Sequence, residues 1–190
     1  SHNVSMSGGG EDHTYRASIG YTNFDGVLKG TDRERAIVRL NAMQKGINDK
    51  LTLSLNLSGT FENNNYVQTN GNNGEAVLFQ TFSRNPTYPV YNADGSYFEV
   101  NDFENSNPLA LINQIQNERD AKRYLANAKA DFEIVDGLVA GMDVSYRKDD
   151  DETWFHRPSY QITSSDGGYA RRSYNNNETK MMEATIKYNR

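Results

Sequence analysis

The stretch LTLSLNLSGTF, residues 51–61, sets Leu51, Leu53, Leu55, Leu57 and Phe61 on one parity and Thr52, Ser54, Asn56, Ser58 and Thr60 on the other. Successive side chains of a β-strand leave on opposite faces, so this segment has one apolar and one polar face. The same pattern serves a strand against the core of a soluble sandwich or barrel and a strand against lipid.

The alternation recurs on both sides of it. Val4, Met6 and Gly8 oppose Asn3, Ser5 and Ser7; Tyr15, Ala17, Ile19 and Tyr21 oppose Arg16, Ser18, Gly20 and Thr22; Ala36, Val38, Leu40 and Ala42 oppose Ile37, Arg39, Asn41 and Met43. Further on, Tyr124, Ala126, Ala128, Ala130, Phe132 and Ile134 alternate with Leu125, Asn127, Lys129, Asp131 and Glu133. Leu138, Ala140, Met142, Val144 and Tyr146 do so with Val139, Gly141, Asp143, Ser145 and Arg147. Met182, Ala184, Ile186 and Tyr188 close the series against Glu183, Thr185 and Lys187. Period two over seven segments predicts an all-β, antiparallel up-and-down meander of about seven strands.

The connections alternate short and long. GGED, NDK and DG read as tight turns, whereas residues 25–34, 62–118 and 148–178 read as longer polar loops. All short turns then fall on one edge of the meander, an asymmetry that outer-membrane barrels show between periplasmic turns and extracellular loops. Within the longest connection, Val77, Leu78, Phe79 and Phe82 are spaced for a short helix that Pro86 and Pro89 end. YNADGSYF predicts a small hairpin turning at Asp94 and Gly95, and NSNPLALINQ a further helical turn with Asn107 before Pro108.

Composition narrows the function. Of 190 residues 36% are hydrophobic, mean hydropathy is −0.83, and 20 basic against 25 acidic residues leave −5 with no basic block, which argues against a nucleic-acid partner. The absence of cysteine removes disulfides, thiolate metal sites and a cysteine nucleophile. No stretch approaches the roughly 18 apolar residues of a membrane helix, a test that says nothing of β-strands, which span with about 9–11 alternating residues. The opening SHNVSMSGGG lacks the basic and apolar regions of a signal peptide. KDDDETWFH, residues 148–156, offers carboxylates but no EF-hand spacing, and adjacent side chains on an extended chain point apart, so it reads as a solvated loop. His2, His13 and His156 are scattered, GGG at 8–10 leads into a turn rather than a phosphate-binding helix, and no serine has an ordered His and acid beside it. Nothing favours paired carboxylates for glycoside hydrolysis. The expectation is therefore no enzyme, no cofactor and no metal.

A set of ordered motifs adds a resemblance: Ser7, Gly8 and Gly9; Tyr15, Ser18, Gly20 and Tyr21 with Gly26; Arg39, Asn41 and Lys45; NPTYPVYNADGSYF at 85–98; and NPLALI at 107–112. In this order they resemble the SusC/RagA family of TonB-linked outer-membrane proteins over nearly the whole chain. That resemblance implies a transmembrane β-barrel of about 22 strands around a plug in the outer membrane of a Gram-negative bacterium. It also implies import of oligosaccharides or peptides, energised through TonB, under a SusD-like surface lipoprotein. Nothing in the chain resembles the TonB box, the plug or the later two-thirds of the barrel, so residues 1–190 are expected to be a partial barrel domain. With the short turns periplasmic, the first segment runs from outside inward, which makes these roughly strands two to eight.

On that reading Arg39, Asn41, Asn127, Lys129, Asp131 and Asp143, with Arg16, Glu133, Arg147, Glu183 and Lys187 on the same parity, line the lumen, while Leu51, Leu53, Leu55 and Leu57 face membrane lipid. Aromatics crowd the strand ends at Tyr15, Tyr21, Phe24, Phe61, Tyr66, Tyr146, Trp154, Phe155 and Tyr188; Tyr21, Phe61 and Tyr146 are expected in an interfacial girdle. Trp154, Phe155, Tyr160 and Tyr169 are candidates for stacking on cargo or packing on the lipoprotein. The alternative is a soluble all-β carbohydrate-binding module, in which the leucine parity is buried by the chain itself. Exposure of Leu51, Leu53 and Leu55 separates the two.

Overall fold

Each alternating segment pairs with the next. The computed structural model describes residues 1–69, 74–100, 106–164 and 167–189. Its strands are β1 (His2–Gly9), β2 (His13–Asp25), β3 (Asp32–Gly46), β4 (Leu51–Asn65), β5 (Gln116–Val135), β6 (Leu138–Arg157) and β7 (Tyr169–Tyr188); helices α1 (Val77–Ser83) and α2 (Pro108–Gln114) lie between β4 and β5. They form one seven-stranded antiparallel sheet in sequence order, the meander that the periodicity predicts.

The register keeps the two parities in phase from edge to edge. One row across the sheet runs Gly8, Tyr15, Ala42, Leu55, Ala128, Val144 and Met182. The adjacent row, on the other face, runs Ser7, Arg16, Asn41, Asn56, Asn127 and Ser145. Among the described residues nothing covers the apolar face: Leu53, Leu55 and Leu57 keep 45%, 38% and 38% of their surface exposed, Leu51 is half-buried, and Val4, Ile19, Val38, Met142 and Met182 are exposed with them.

All three long connections are shorter than the sequence reading has them, the first spanning only 26–31. Residues 148–157 continue β6 and 169–178 begin β7, so only 158–168 join them; likewise β4 extends to Asn65, and β5 begins at Gln116. The polarity of these extensions conceals strands, because both parities turn polar there and the apolar signature fades. KDDDETWFH is accordingly strand, not loop.

The turns at the short-connection end are tight. Ile47, Asn48 and Asp49 have φ of 56°, 54° and 65°, a conformation that Asn and Asp tolerate and a β-branched Ile rarely adopts. Gly137 has φ 80°, and a Cβ there would lie 2.2 Å from the carbonyl oxygen of Asn189, so no other residue fits without displacing backbone.

Buried apolar side chains gather away from the leucines. Ala76 and Val77 around α1, Ala110 and Leu111 of α2, and Ala121 on the polar face of β5 are all at most 3% exposed. Both helices have seven residues, too few to stand alone, and lie against each other. Asn107 ties this connection together: its carboxamide oxygen accepts from the Leu109 amide at 3.1 Å as the N-cap of α2, while its Nδ2 donates to the carbonyls of Val90 (2.8 Å) and Phe98 (3.2 Å). The motifs NPLALI and NPTYPVYNADGSYF are thus hooked to each other through one side chain. The hairpin at Asp94 and Gly95 forms as expected, bridged at Tyr91 and Tyr97, and the Ser96 hydroxyl and amide, at 2.6 Å and 3.0 Å, hold the Asp94 carboxyl below its usual range.

Glu99 accepts from the Asn107 amide at 2.8 Å and lies 3.8 Å from Arg84, yet burial outweighs both and raises its carboxyl. A raised folded-state pKa favours the folded connection at acid pH, and that contribution is lost as pH rises through the folded value. Two outcomes follow for limited proteolysis between residues 66 and 115. Asn107→Ala, which removes the N-cap acceptor of the Leu109 amide and leaves the Val90 and Phe98 carbonyls with one donor each, the Phe98 amide and Arg84, destabilises the connection by about 1–2 kcal/mol and speeds cleavage while the sheet stays intact. Glu99→Gln flattens the pH dependence of cleavage without speeding it at neutral pH.

Candidate functional site

The polar face gathers four of the expected residues into one cluster. Asn127 donates to Asp143 at 2.5 Å and to Ser145 at 3.0 Å, and accepts from Asn56 at 3.4 Å; Lys129 pairs with Asp131 at 2.6 Å. Asn41 shares the row of Asn127 but stands two strands away on β3. Arg39, one step further along β3, is on the same face and forms no ion pair among the described residues, and neither does Arg16.

Nearer the long-connection end, the same face carries a chain of charges, of which Glu62, Asp149 and Asp151 lie where the sequence reading has loops. Arg35 meets Glu62 (3.2 Å), Glu62 meets Arg123 (3.4 Å), Arg123 meets Asp149 (3.7 Å), and Asp149 meets Arg147 (2.7 Å), crossing β3 to β6; Arg119 and Asp151 add a 2.5 Å pair. The signal was there: ERDAKR upstream of Tyr124 continues the parity of the following strand. The acidic run divides in the same way. Asp149 and Asp151 serve this face, while Asp150 and Glu152 serve the other, with Lys148, Tyr174 and Asn176 around Asp150 and Arg172 on Glu152. No three His, Asp or Glu side chains converge as a metal set among the described residues.

The four loop aromatics are not brought together. Trp154 lies on the face of the leucines, with the Arg172 guanidinium 5.4 Å from its ring, and Tyr160 is 75% exposed in the 158–168 connection. Phe155 and Tyr169 share the polar face with ring centroids 5.8 Å apart. They overlook a hollow of about 750 Å³ lined also by Gln68, Asn117, Arg157 and Arg171. Glu75, 3% exposed, reaches Arg157 from the long connection and accepts from the Thr163 hydroxyl at 3.3 Å. Of the other strand-end aromatics, Phe24 is also on the polar face, under the Arg33 guanidinium at 4.8 Å.

The open apolar face is a band with oblique edges. At the long-connection end its last members are Tyr21 on β2, Ala36 on β3, Phe61 on β4, Tyr124 on β5 and Tyr146 on β6, followed on the same face by Asn23, Glu34, Asn63, Lys122 and Lys148. Tyr21, Ala36 and Phe61 share one row, which reaches Asp150 on β6, four residues beyond Tyr146. The edge therefore slips four residues across four strands. At the other end, Tyr15 shares a row with Met182, and β7 stays apolar at Ile186 and Tyr188, six residues lower after five strands. Both edges slope by about one residue per strand. Phe61 and Tyr124 meet edge to face at 5.8 Å along the first edge, and Lys180 approaches the Tyr146 ring to 5.9 Å.

No family profile matches the chain. Among curated proteins it is similar to TonB-dependent receptor P3 of Formosa agariphila, 28% identical over 98% of this chain and 19% of that one. TonB-dependent receptor P26 of the same organism is 30% identical over 68% and 12%, and TonB-dependent receptor SusC of Bacteroides thetaiotaomicron is 25% identical over 70% and 15%. Among solved structures, a chain of the RagAB peptide importer superposes with a TM-score of 0.77 in its closed-closed state and 0.78 in its open-open state. Each superposition has 20% identity over 98% of this chain and 21% of that one. At that identity the likeness speaks for the fold. The chain spans about a fifth or less of the length of the curated relatives it matches.

Because Arg123 bridges Glu62 and Asp149, the charge chain is coupled. Glu62→Ala and Asp149→Ala together should cost less than the sum of the singles by about 0.5–1 kcal/mol in urea unfolding, since either alone already weakens Arg123; strict additivity contradicts the coupling.

Proposed function

We propose, from a chain that is SusC/RagA-like in sequence and fold, that residues 1–190 form an arc of seven strands in the barrel of a TonB-dependent importer. The barrel spans the outer membrane of a Gram-negative bacterium. Leu51, Leu53, Leu55 and Leu57 face lipid; Arg39, Asn41, Asn127, Lys129, Asp131 and Asp143 face a lumen filled by a plug. The importer takes up oligosaccharides or peptides, with a SusD-like lipoprotein above and TonB coupling through parts outside this chain. Transport draws on binding energy and conformational gating, with no covalent chemistry and no cofactor.

The slope of the apolar band carries this reading. A slip of one residue, about 3.4 Å, over a strand spacing of about 4.8 Å corresponds to strands tilted by about 35° from the normal of a level band, within the range of membrane barrels. Along β4 the band runs from Leu51 to Phe61, about 34 Å of strand and about 28 Å once tilted, close to the apolar height of such barrels. A soluble module has no reason to leave this face open, and none to give it a tyrosine and phenylalanine rim.

Single cysteines test it in the full receptor carrying this chain, assembled in membranes. Cysteines at Leu53, Leu55 and Leu57 should resist a water-soluble maleimide and react with a lipid-phase reagent, whereas those at Ser54 and Asn56 should react with neither reagent until the plug is opened by denaturant, and then with the maleimide. Aqueous labelling at 53, 55 and 57 sinks the lipid assignment. Leu55→Arg, at mid-band, should cost about 2–4 kcal/mol of folding stability, with Ser54→Arg costing far less.

A further inference from the structure

The geometry points to a carboxylate-binding subsite in the hollow at the top of β6 and β7, a deepening that rests on the importer reading above. Two cross-strand pairs form a square on the polar face: Phe155 stands opposite Arg171, and Arg157 opposite Tyr169. Aromatic and cation therefore alternate at its corners, and the two rings meet across the diagonal at 5.8 Å.

The two guanidiniums are not equivalent. Arg157 is neutralised by Glu75, which is almost fully buried and reached by the Thr163 hydroxyl. Thr163 is itself held by Gln161, through its amide at 2.7 Å and through its hydroxyl. This pair belongs to the wall. Arg171 is exposed, and its Nε donates to the Ser173 hydroxyl at 3.1 Å; it has no carboxylate partner among the described residues. Of the charged residues lining the hollow, Glu75 offsets Arg157, and Arg171 leaves one positive charge in a chain whose net charge is −5.

A guanidinium beside two rings recognises a carboxylate attached to a flat or apolar group: the fork pairs with the two oxygens, and the rings take the body behind them. Asn117, in register with Phe155, and Gln68 add amides that hydrogen-bond hydroxyls or peptide groups. Because Arg157 and Glu75 already fix the wall, binding orders few further side chains. The shared chemistry is the carboxylate, which a uronic-acid sugar or the C-terminus of a peptide supplies.

The test uses the full receptor in detergent and calorimetric titration with two matched pairs of probes: trigalacturonic acid against its methyl ester, and a tripeptide ending in phenylalanine against its C-terminal amide. At least one acid should bind about tenfold or more tightly than its neutral partner; which pair shows the preference identifies the source. Arg171→Gln should abolish that preference, Arg171→Lys should restore part of it, and Phe155→Leu should weaken acid and neutral probes alike. Equal binding of acid and neutral forms, binding of neither acid, or a preference that survives Arg171→Gln overturns the subsite. Arg171 is exposed, so its variants should keep the heat-modifiable mobility of the folded barrel. Failure here with the alternating cysteine labelling intact removes the subsite alone, whereas failure of the labelling removes the importer arc on which it stands.

Discussion

The structure depends on phase. Six antiparallel ladders join seven strands, and along each of them an apolar residue meets an apolar residue until the band ends. Slipping any ladder by one residue would turn a whole strand inside out and place Arg39 or Asp143 among the leucines. The one shift of register lies between Glu133 and Val135, beside a tight turn, where no further row remains to be inverted. Faces, charge chain and hollow all inherit their composition from this phase.

What the polar face does with its charges shows the same constraint. KDDDET would be four mutually repelling carboxylates if they shared one side. The pleat divides them, two to each face, and sets each pair among arginines, lysines or amides of neighbouring strands. Strand β6 can therefore carry a dense acidic run while paired on both sides, by β5 and β7. On the same face Glu75 pairs with Arg157, and through it the long connection is fastened to the wall. Within that connection Asn107 makes the corresponding join, using one amide to hold two motifs that are separate in sequence.

Much of this was legible because period two is a local property. Leu51 to Phe61 announced both faces, and the order of short and long connections announced the meander. Where the sequence reading stopped too soon, at Arg147 and before Tyr124, the cause was loss of contrast: beyond the apolar band both faces are polar, so alternation of Asp149 with Asp150 carries no hydropathy signal. Partnership was less legible than position. Lys129 and Asp131, on one parity, could be expected to meet, but that Arg123 would link Glu62 to Asp149 depends on register between strands 60 residues apart. Trp154 and Phe155 stand side by side among the four loop candidates, and adjacency in a strand puts them on opposite faces.

The slope of one residue per strand has a geometric sequel. Carried around a closed wall of about 22 strands, as the family resemblance implies, it fixes a radius of roughly 20 Å. Side chains reaching inward from opposite sides of such a cylinder leave most of the distance between them uncrossed. Such a wall would not seal itself, and Arg16 and Arg39, which form no ion pair among the described residues, would present their guanidiniums to whatever body of protein closes the bore.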